Sequence, residues 1–177
     1  MRLICLSACA LAVVATFATA SMEEDKVMRA ESAAHTDLSS TATIMDTDGT
    51  VLRKGSSHWH CMPGIPVMEG DAHPMCNDPV WTALLQAAAE GKPFETDKVG
   101  FSYMLQGDAL VSNESPAATD PNDGGVWVEE GPHIMIVVPR ALLEGSSTDP
   151  YNGGPYVMWK DTPYAHIMIP VGNKTKP

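Results

Sequence analysis

Two periodicities divide this chain. Alternation of apolar and less apolar positions marks strands, and a three-to-four spacing marks one helix. Residues 41–45 (TATIM) read as a strand, Asp46-Thr47-Asp48-Gly49 as a hairpin turn and residues 50–53 as the return strand. The Asp-x-Asp-Gly of that turn begins like a calcium loop but lacks the later ligand positions, so the hairpin is the better reading. Residues 55–77 show no period and read as an irregular loop. Beyond it, Val80, Trp81, Leu84, Leu85 and Ala88 fall on one helical face. Asn77 or Asp78 caps that helix, Pro79 sits in its first turn, and Gly91 and Pro93 end it. Residues 99–105 (VGFSYML) read as a core strand.

The second half writes one pattern twice. TDPNDGG at 119–125 and TDPYNGG at 148–154 each lead to His-Ile-Met-Ile, at 133–136 and 166–169. Asp-Pro and Gly-Gly favour turns, and a strand is expected after each glycine pair. Alternation puts Ile134, Ile136 and Val138 on one face and His133, Met135 and Val137 on the other. Ile167 and Ile169 oppose His166 and Met168 in the same way. The isoleucine face is expected to be the deeper one.

These elements predict an α+β fold: an antiparallel sheet of hairpins with one main helix packed on it and a disulfide-stapled loop. The expected organisation is a signal peptide at 1–20, an acidic mobile leader at 21–40 and a single domain at 41–177. Within that domain, residues 119–139 and 148–170 are expected to be two copies of one hairpin unit, adjacent in the sheet.

The signal reading rests on Arg2, the apolar run from Leu3 to about Ala18, the small-x-small site Ala18-Thr19-Ala20 and the acidic stretch that follows. Cleavage there would start the mature chain at Ser21 and leave no segment apolar enough to span a membrane. The destination is exported, periplasmic or secreted. The formal charge of -11 argues against nucleic acid as a partner, because phosphates would be repelled. Cys5 and Cys9 leave with the signal, so Cys61 and Cys76 are expected to pair in an oxidising compartment. Closing a loop of that size stabilises by roughly 3 kcal/mol on the chain-entropy model.

Three places could carry chemistry. The first is the stapled loop, where His58, His60, His73 and Met75 are imidazole and thioether groups suited to copper; with the cysteines oxidised, no fixed ligand spacing remains, and an ordinary stapled loop is favoured. The second is the pair His133-x-Met135 and His166-x-Met168, which could share one face if the strands are neighbours, against the simpler role of gap-filling methionine and hydrogen-bonded histidine. The third is the pair of loops that lead into the repeated strands, where Asp120 and Asp149 would flank a groove if both loops lie at one end of the sheet. No Gly-x-Ser-x-Gly, His-Glu-x-x-His or phosphate-cradling loop occurs.

The segments TATIMDTDGTVLRKG, WHCMPGIP, HPMCND, GFSYMLQGD and NGGPYVMWKDTPYAHIMIPV resemble a family of uncharacterised exported bacterial proteins. That family has a Trp-x-Cys-Met-Pro-Gly loop and a closing Met-Trp-Lys-x-Thr-Pro-Tyr-Ala-His-Ile-Met segment. The resemblance covers nearly all of the chain beyond the signal. It supports the Cys61–Cys76 pairing and places Trp59, Met62, Trp159, Tyr164 and His166 in the family pattern. It does not extend to His58, His60 or His73, and it implies no reaction.

Two functional readings follow. One is a non-enzymatic small-ligand or metal-binding accessory module, with Asp120, Asp149, His133, His166, Trp159 and Tyr164 as candidate contacts, no cofactor expected, copper as the alternative, and an unknown small molecule or protein as partner. The other is a small hydrolase-like enzyme using His133 or His166 with a nearby carboxylate.

Overall fold

The computed structural model describes residues 22–65 and 73–174. The expected signal at 1–20 lies outside those residues, as do Ser21 and residues 66–72 of the stapled loop. Residues 22–31 are helical and are labelled α1. The other elements are α2 (Thr36–Ser39), β1 (Thr43–Met45), β2 (Val51–Arg53), β3 (His60–Met62), β4 (Met75–Asn77), α3 (Pro79–Ala89), β5 (Gly100–Met104), β6 (Leu110–Ser112), β7 (Trp127–Glu129), β8 (His133–Val137), β9 (Tyr156–Met158) and β10 (His166–Pro170). Eight strands form one sheet in the order β2-β1-β3-β4-β5-β8-β10-β9, and β6 and β7 form a separate ribbon. The class is α+β with a sheet-rich core.

The main helix forms where its signals lie. Asp78 has an extended backbone and its side chain accepts from the Trp81 amide at 2.8 Å, while Pro79 occupies the first turn. The same carboxylate accepts from the Phe101 amide at 2.9 Å, so one residue caps α3 and fastens it to β5. Gly100 sets how close the helix can lie, because a Cβ there would stand 2.7 Å from the Val80 Cβ. Trp81, Leu84 and Leu85 are buried against the sheet.

The sheet is mostly antiparallel, but β1 and β3 run parallel, which corrects the all-antiparallel expectation. After β2 the chain crosses back to the start of β1, where the Ser56 and Ser57 amides donate to the Thr41 carbonyl at 2.8 and 3.0 Å. Gly55 makes the crossing possible: a Cβ there would lie 2.3 Å from the Ala42 carbonyl carbon. The expected irregular loop at 55–77 therefore has strands at both ends, each three residues long and too short to show a period. Cys61 and Cys76 are register partners of β3 and β4, joined by a disulfide, with their Cα atoms 4.0 Å apart.

The expected mobile leader is instead built into the fold. Ala30 and Ala33 are fully buried, and with Ala34 they pack on Ile44, Cys61 and Cys76. Alanine offers a narrow apolar stripe but a close approach, which suits a helix laid over a disulfide. Arg53 pairs with Glu31 at 2.5 Å, and Lys26 pairs with Asp46.

The repeat gives neither two equal hairpins nor a deep isoleucine face. β9 and β10 do form an antiparallel pair, but β7 pairs with β6 in the ribbon, and β8 lies between β5 and β10. Burial on β8 and β10 falls on His133, Met135, Val137, His166 and Met168, while Ile134, Ile136, Ile167 and Ile169 are half-buried. The reason is cover. Met104, Met135, Met158 and Met168 share a core cluster with Trp81, Leu84 and Leu85 of α3 and with Val111 and Val128 of the ribbon. Unbranched, flexible methionine fills the uneven space beneath a helix better than isoleucine does.

Candidate functional site

Strand register brings the two His-Met pairs onto one surface. Met168 faces Met135 across β10 and β8, and His166 faces Met158 across β10 and β9. His133 stands further along, opposite Met104 of β5 and Pro170 of β10. Helix α3 lies over this surface and leaves a cavity of about 230 Å³ beneath its Trp81, Leu84, Leu85 and Ala88. Met75, Met104, Met135 and Met158 supply thioethers to the wall. Trp159, Tyr164 and His166 close another side, and Asp108, Pro116 and Ala117 complete the lining.

His166 is the polar group at the centre of this wall. It is 1 % exposed and sits edge-on between the rings of Trp81 and Trp159, at centroid distances of 5.2 and 5.0 Å. Its Nδ1 lies 2.9 Å from the Tyr164 carbonyl. A carbonyl only accepts, so Nδ1 carries the proton and Nε2 holds a bare lone pair. That Nε2 is buried with no hydrogen-bond partner. Burial pushes the His166 pKa down to about 4, against the opposing pull of the Tyr164 carbonyl, so the ring is neutral at pH 7. The Trp81 Nε1 of the same cavity is a second buried group with no partner.

Trp159 is held in place at a conformational cost. Its φ of 54° is the one positive value for a non-glycine among the described residues, and a bulky residue there is strained. Its amide donates to the Asn113 carbonyl and its indole Nε1 to the Ser112 carbonyl, both at 2.8 Å. The loop after β6 thus fixes the ring against His166. Tyr164 is pinned by its hydroxyl, which donates to the Lys92 carbonyl at 2.9 Å.

His133 shares the face but not the cavity. Its Nδ1 lies 2.8 Å from the Gly131 carbonyl, and its buried Nε2 also has no partner. Burial lowers its pKa, with the Gly131 carbonyl and the Glu130 charge opposing and Lys174 and His73 adding to the fall. Glu130 itself is buried and accepts from the Tyr156 hydroxyl and from Lys174 Nζ, both at 2.7 Å. Among the described residues, no carboxylate hydrogen-bonds to either histidine ring.

The other expected residues lie apart. Asp120 accepts from the Asn122 amide and side chain at 2.8 Å, and Asp149 accepts from the Tyr151 amide at 2.8 Å. Both are exposed turn formers, and neither lines the cavity over the His-Met face. The loops are nonetheless tied at one end: Asn113 donates to the Val126 and Thr148 carbonyls, and the Tyr151 hydroxyl donates to the Trp127 carbonyl. Of the stapled-loop set, Met75 enters the cavity wall, His60 is on β3 opposite Asn77, and His58 packs its ring on Trp59. His73 lies close enough to act on the charge of His133. The described residues contain no group of three or more His, Cys, Asp or Glu side chains placed to hold a metal ion.

A larger cleft of about 530 Å³ lies at the Val137 end of β8, lined in part by Phe94, Glu95, Arg140 and Asp161. None of its lining residues carries an unpartnered buried polar side chain, and Arg140 is already donating to the Lys160 and Thr162 carbonyls. The smaller cavity is therefore the better candidate site. Sequence reasoning put Trp159, Tyr164 and His166 among the candidates but missed Trp81, which reads as an ordinary core position of α3. Among the described residues, no helix is long and apolar enough to cross a membrane. Comparison of the chain with protein-family models, with curated proteins and with solved structures finds no match.

Proposed function

We propose that this chain is an exported, non-enzymatic module that binds a small organic ligand in the cavity over the His-Met face. The observation that carries the reading is the unpaired His166 Nε2 in a mostly apolar wall. A buried polar atom without a partner is costly, and it is tolerated where a ligand supplies the missing bond. The strained Trp159 beside it supports the same reading, since strain of this kind collects at binding sites. Export is supported by the disulfide and by the apolar run that opens the sequence. The hydrolase alternative has less support: a ring with its pKa near 4 is a weak general base at pH 7, and Glu130, the carboxylate acting on His133, is engaged by Tyr156 and Lys174.

Native mass spectrometry of the protein purified from its own compartment tests the proposal. The expected result is a retained organic mass that is lost in Ala117→Trp, a change at an exposed position of the cavity wall. An equal retained mass in both proteins, or a bare polypeptide that binds no added apolar solute, would count against it.

A further inference from the structure

We infer that the cavity takes a small neutral aromatic molecule bearing one hydroxyl, a phenol, whose hydroxyl bridges His166 Nε2 and Trp81 Nε1. This rests on the ligand-binding reading above and adds the chemical class.

Two unpartnered atoms on residues of the wall define the bridging group. Nε2 offers a lone pair and needs a donor, whereas the indole N–H needs an acceptor. Both atoms are buried and unpartnered, and their rings are 5.2 Å apart between centroids. A hydroxyl is the smallest organic group that donates and accepts at once. An ether could satisfy only the indole, and a hydrocarbon neither.

The remaining wall defines the body. Its thioethers and indoles are soft and apolar, and thioether sulfur and aromatic edges favour an aromatic partner. A buried apolar cavity of about 150 Å³ accepts benzene, so about 230 Å³ suits a substituted single ring. Charge is disfavoured. An anion would meet the Nε2 lone pair and the Asp108 carboxylate in the wall. A cation would leave water for a wall in which Asp108, whose Oδ1 already accepts from the Ala109 amide at 2.9 Å, is the sole carboxylate among the described residues. A water molecule could bridge the two nitrogens, but it would leave the apolar volume unfilled.

Isothermal titration of the full oxidised chain distinguishes these occupants, with 4-ethylphenol, ethylbenzene and (4-ethylphenyl)trimethylammonium as probes. The expected order puts 4-ethylphenol at least tenfold, on the order of one lost hydrogen bond, ahead of ethylbenzene, with the cation weakest. In His166→Phe the preference for the hydroxyl should vanish while ethylbenzene still binds, which also reports that the variant is folded. Equal affinity for 4-ethylphenol and ethylbenzene would overturn the phenol assignment and leave the cavity reading standing. So would tighter binding of the ammonium, or tight Ag(I) binding that displaces 4-ethylphenol and marks the site as one for a soft cation. Failure of every probe to bind would overturn both.

Discussion

His133 and His166 occupy the same place in the same four-residue pattern, and the fold gives them opposite surroundings. Each ring is buried, each gives its Nδ1 proton to a carbonyl two residues before it, and each leaves Nε2 unpartnered. His166 faces two tryptophans and a row of thioethers beside open volume. His133 stands near a buried ion pair, with Glu130 and Lys174 acting on its charge in opposite directions. Equal letters at equal strand positions therefore do not make equal sites. What differs is the cover: α3 and the Trp159 turn over one histidine, and the chain around Glu130 and Lys174 over the other. One end of the face is arranged to hold the fold together, and the other is arranged around a space.

The largest effect should come from the ion-paired end. Lys174→Met removes the cation from Glu130, whose side chain is fully buried. Breaking a buried pair by removing one partner costs about 3–5 kcal/mol, and urea denaturation should show a loss of that size. Binding of 4-ethylphenol to the folded variant should stay within about twofold of the parent, well under one lost hydrogen bond. A large loss of binding with little loss of stability would reverse the division of labour.

The two faces of β8 allow the next test. Met135→Ala should cost about 2–5 kcal/mol, since the side chain is 5 % exposed and packed under α3. Ile136→Ala, on the half-buried face, should cost about 1 kcal/mol, in keeping with its partial burial. Equal costs in thermal denaturation would show that the isoleucine face is covered after all.

Acid should sharpen the contrast between the histidines. The unfolded His166 imidazole takes up its proton near pH 6.5, and the folded one only near 4. Between those values the unfolded state binds the extra proton, so the contribution is fully present above 6.5 and is lost as pH falls toward 4. The loss amounts to roughly 3 kcal/mol. His133 is shifted in the same direction and remains in His166→Phe, so that variant should lose stability less steeply over this range. Parallel curves from urea titrations at several pH values would mean that His166 is not buried neutral.

The residues explain why parts of this arrangement could be read from the sequence and parts could not. Asp78, Pro79 and the Trp81-Leu84-Leu85 spacing specify α3 locally, and the Asp46–Gly49 turn specifies its hairpin, so both were legible. Alternation in His-Ile-Met-Ile told which residues share a face. It could not tell which face would be covered, because that depends on Asp78 gripping the Phe101 amide and on Gly100 letting α3 close in. The three-residue strands around the disulfide were too short for a pattern, and Ala30, Ala33 and Ala34, at the end of α1 and in the turn after it, were too small to read as a core stripe. Trp159, Tyr164 and His166 were named from sequence, but the backbone strain at Trp159 and the partnerless nitrogens exist only in the fold.

The smallest effects should come from the twin aspartates, and they decide whether the exposed loops share in binding. Asp120 and Asp149 have the composition of a ligand site, with carboxylates, neighbouring amides and glycine-rich backbone. The fold uses them on their own turns. Asp120 accepts from both nitrogens of Asn122, and Asp149 accepts from the Tyr151 amide. Removing either side chain frees an amide at an exposed position where water can replace the bond, so the cost should be about 0.5–1.5 kcal/mol at most. Asp149 stands the better chance of a remote effect, because Tyr151 reaches the Trp127 carbonyl and Asn113 joins Thr148 to the Trp159 amide. Asp149→Ala should therefore loosen the Trp159 turn, whereas the hydrogen bonds that Asp120 accepts come from within its own loop. The expected outcome is unchanged 4-ethylphenol affinity for Asp120→Ala and at most a small weakening for Asp149→Ala, measured by titration alongside urea stability. A strong loss of affinity in Asp120→Ala, with stability intact, would return the ligand to the loops and leave the cavity as packing.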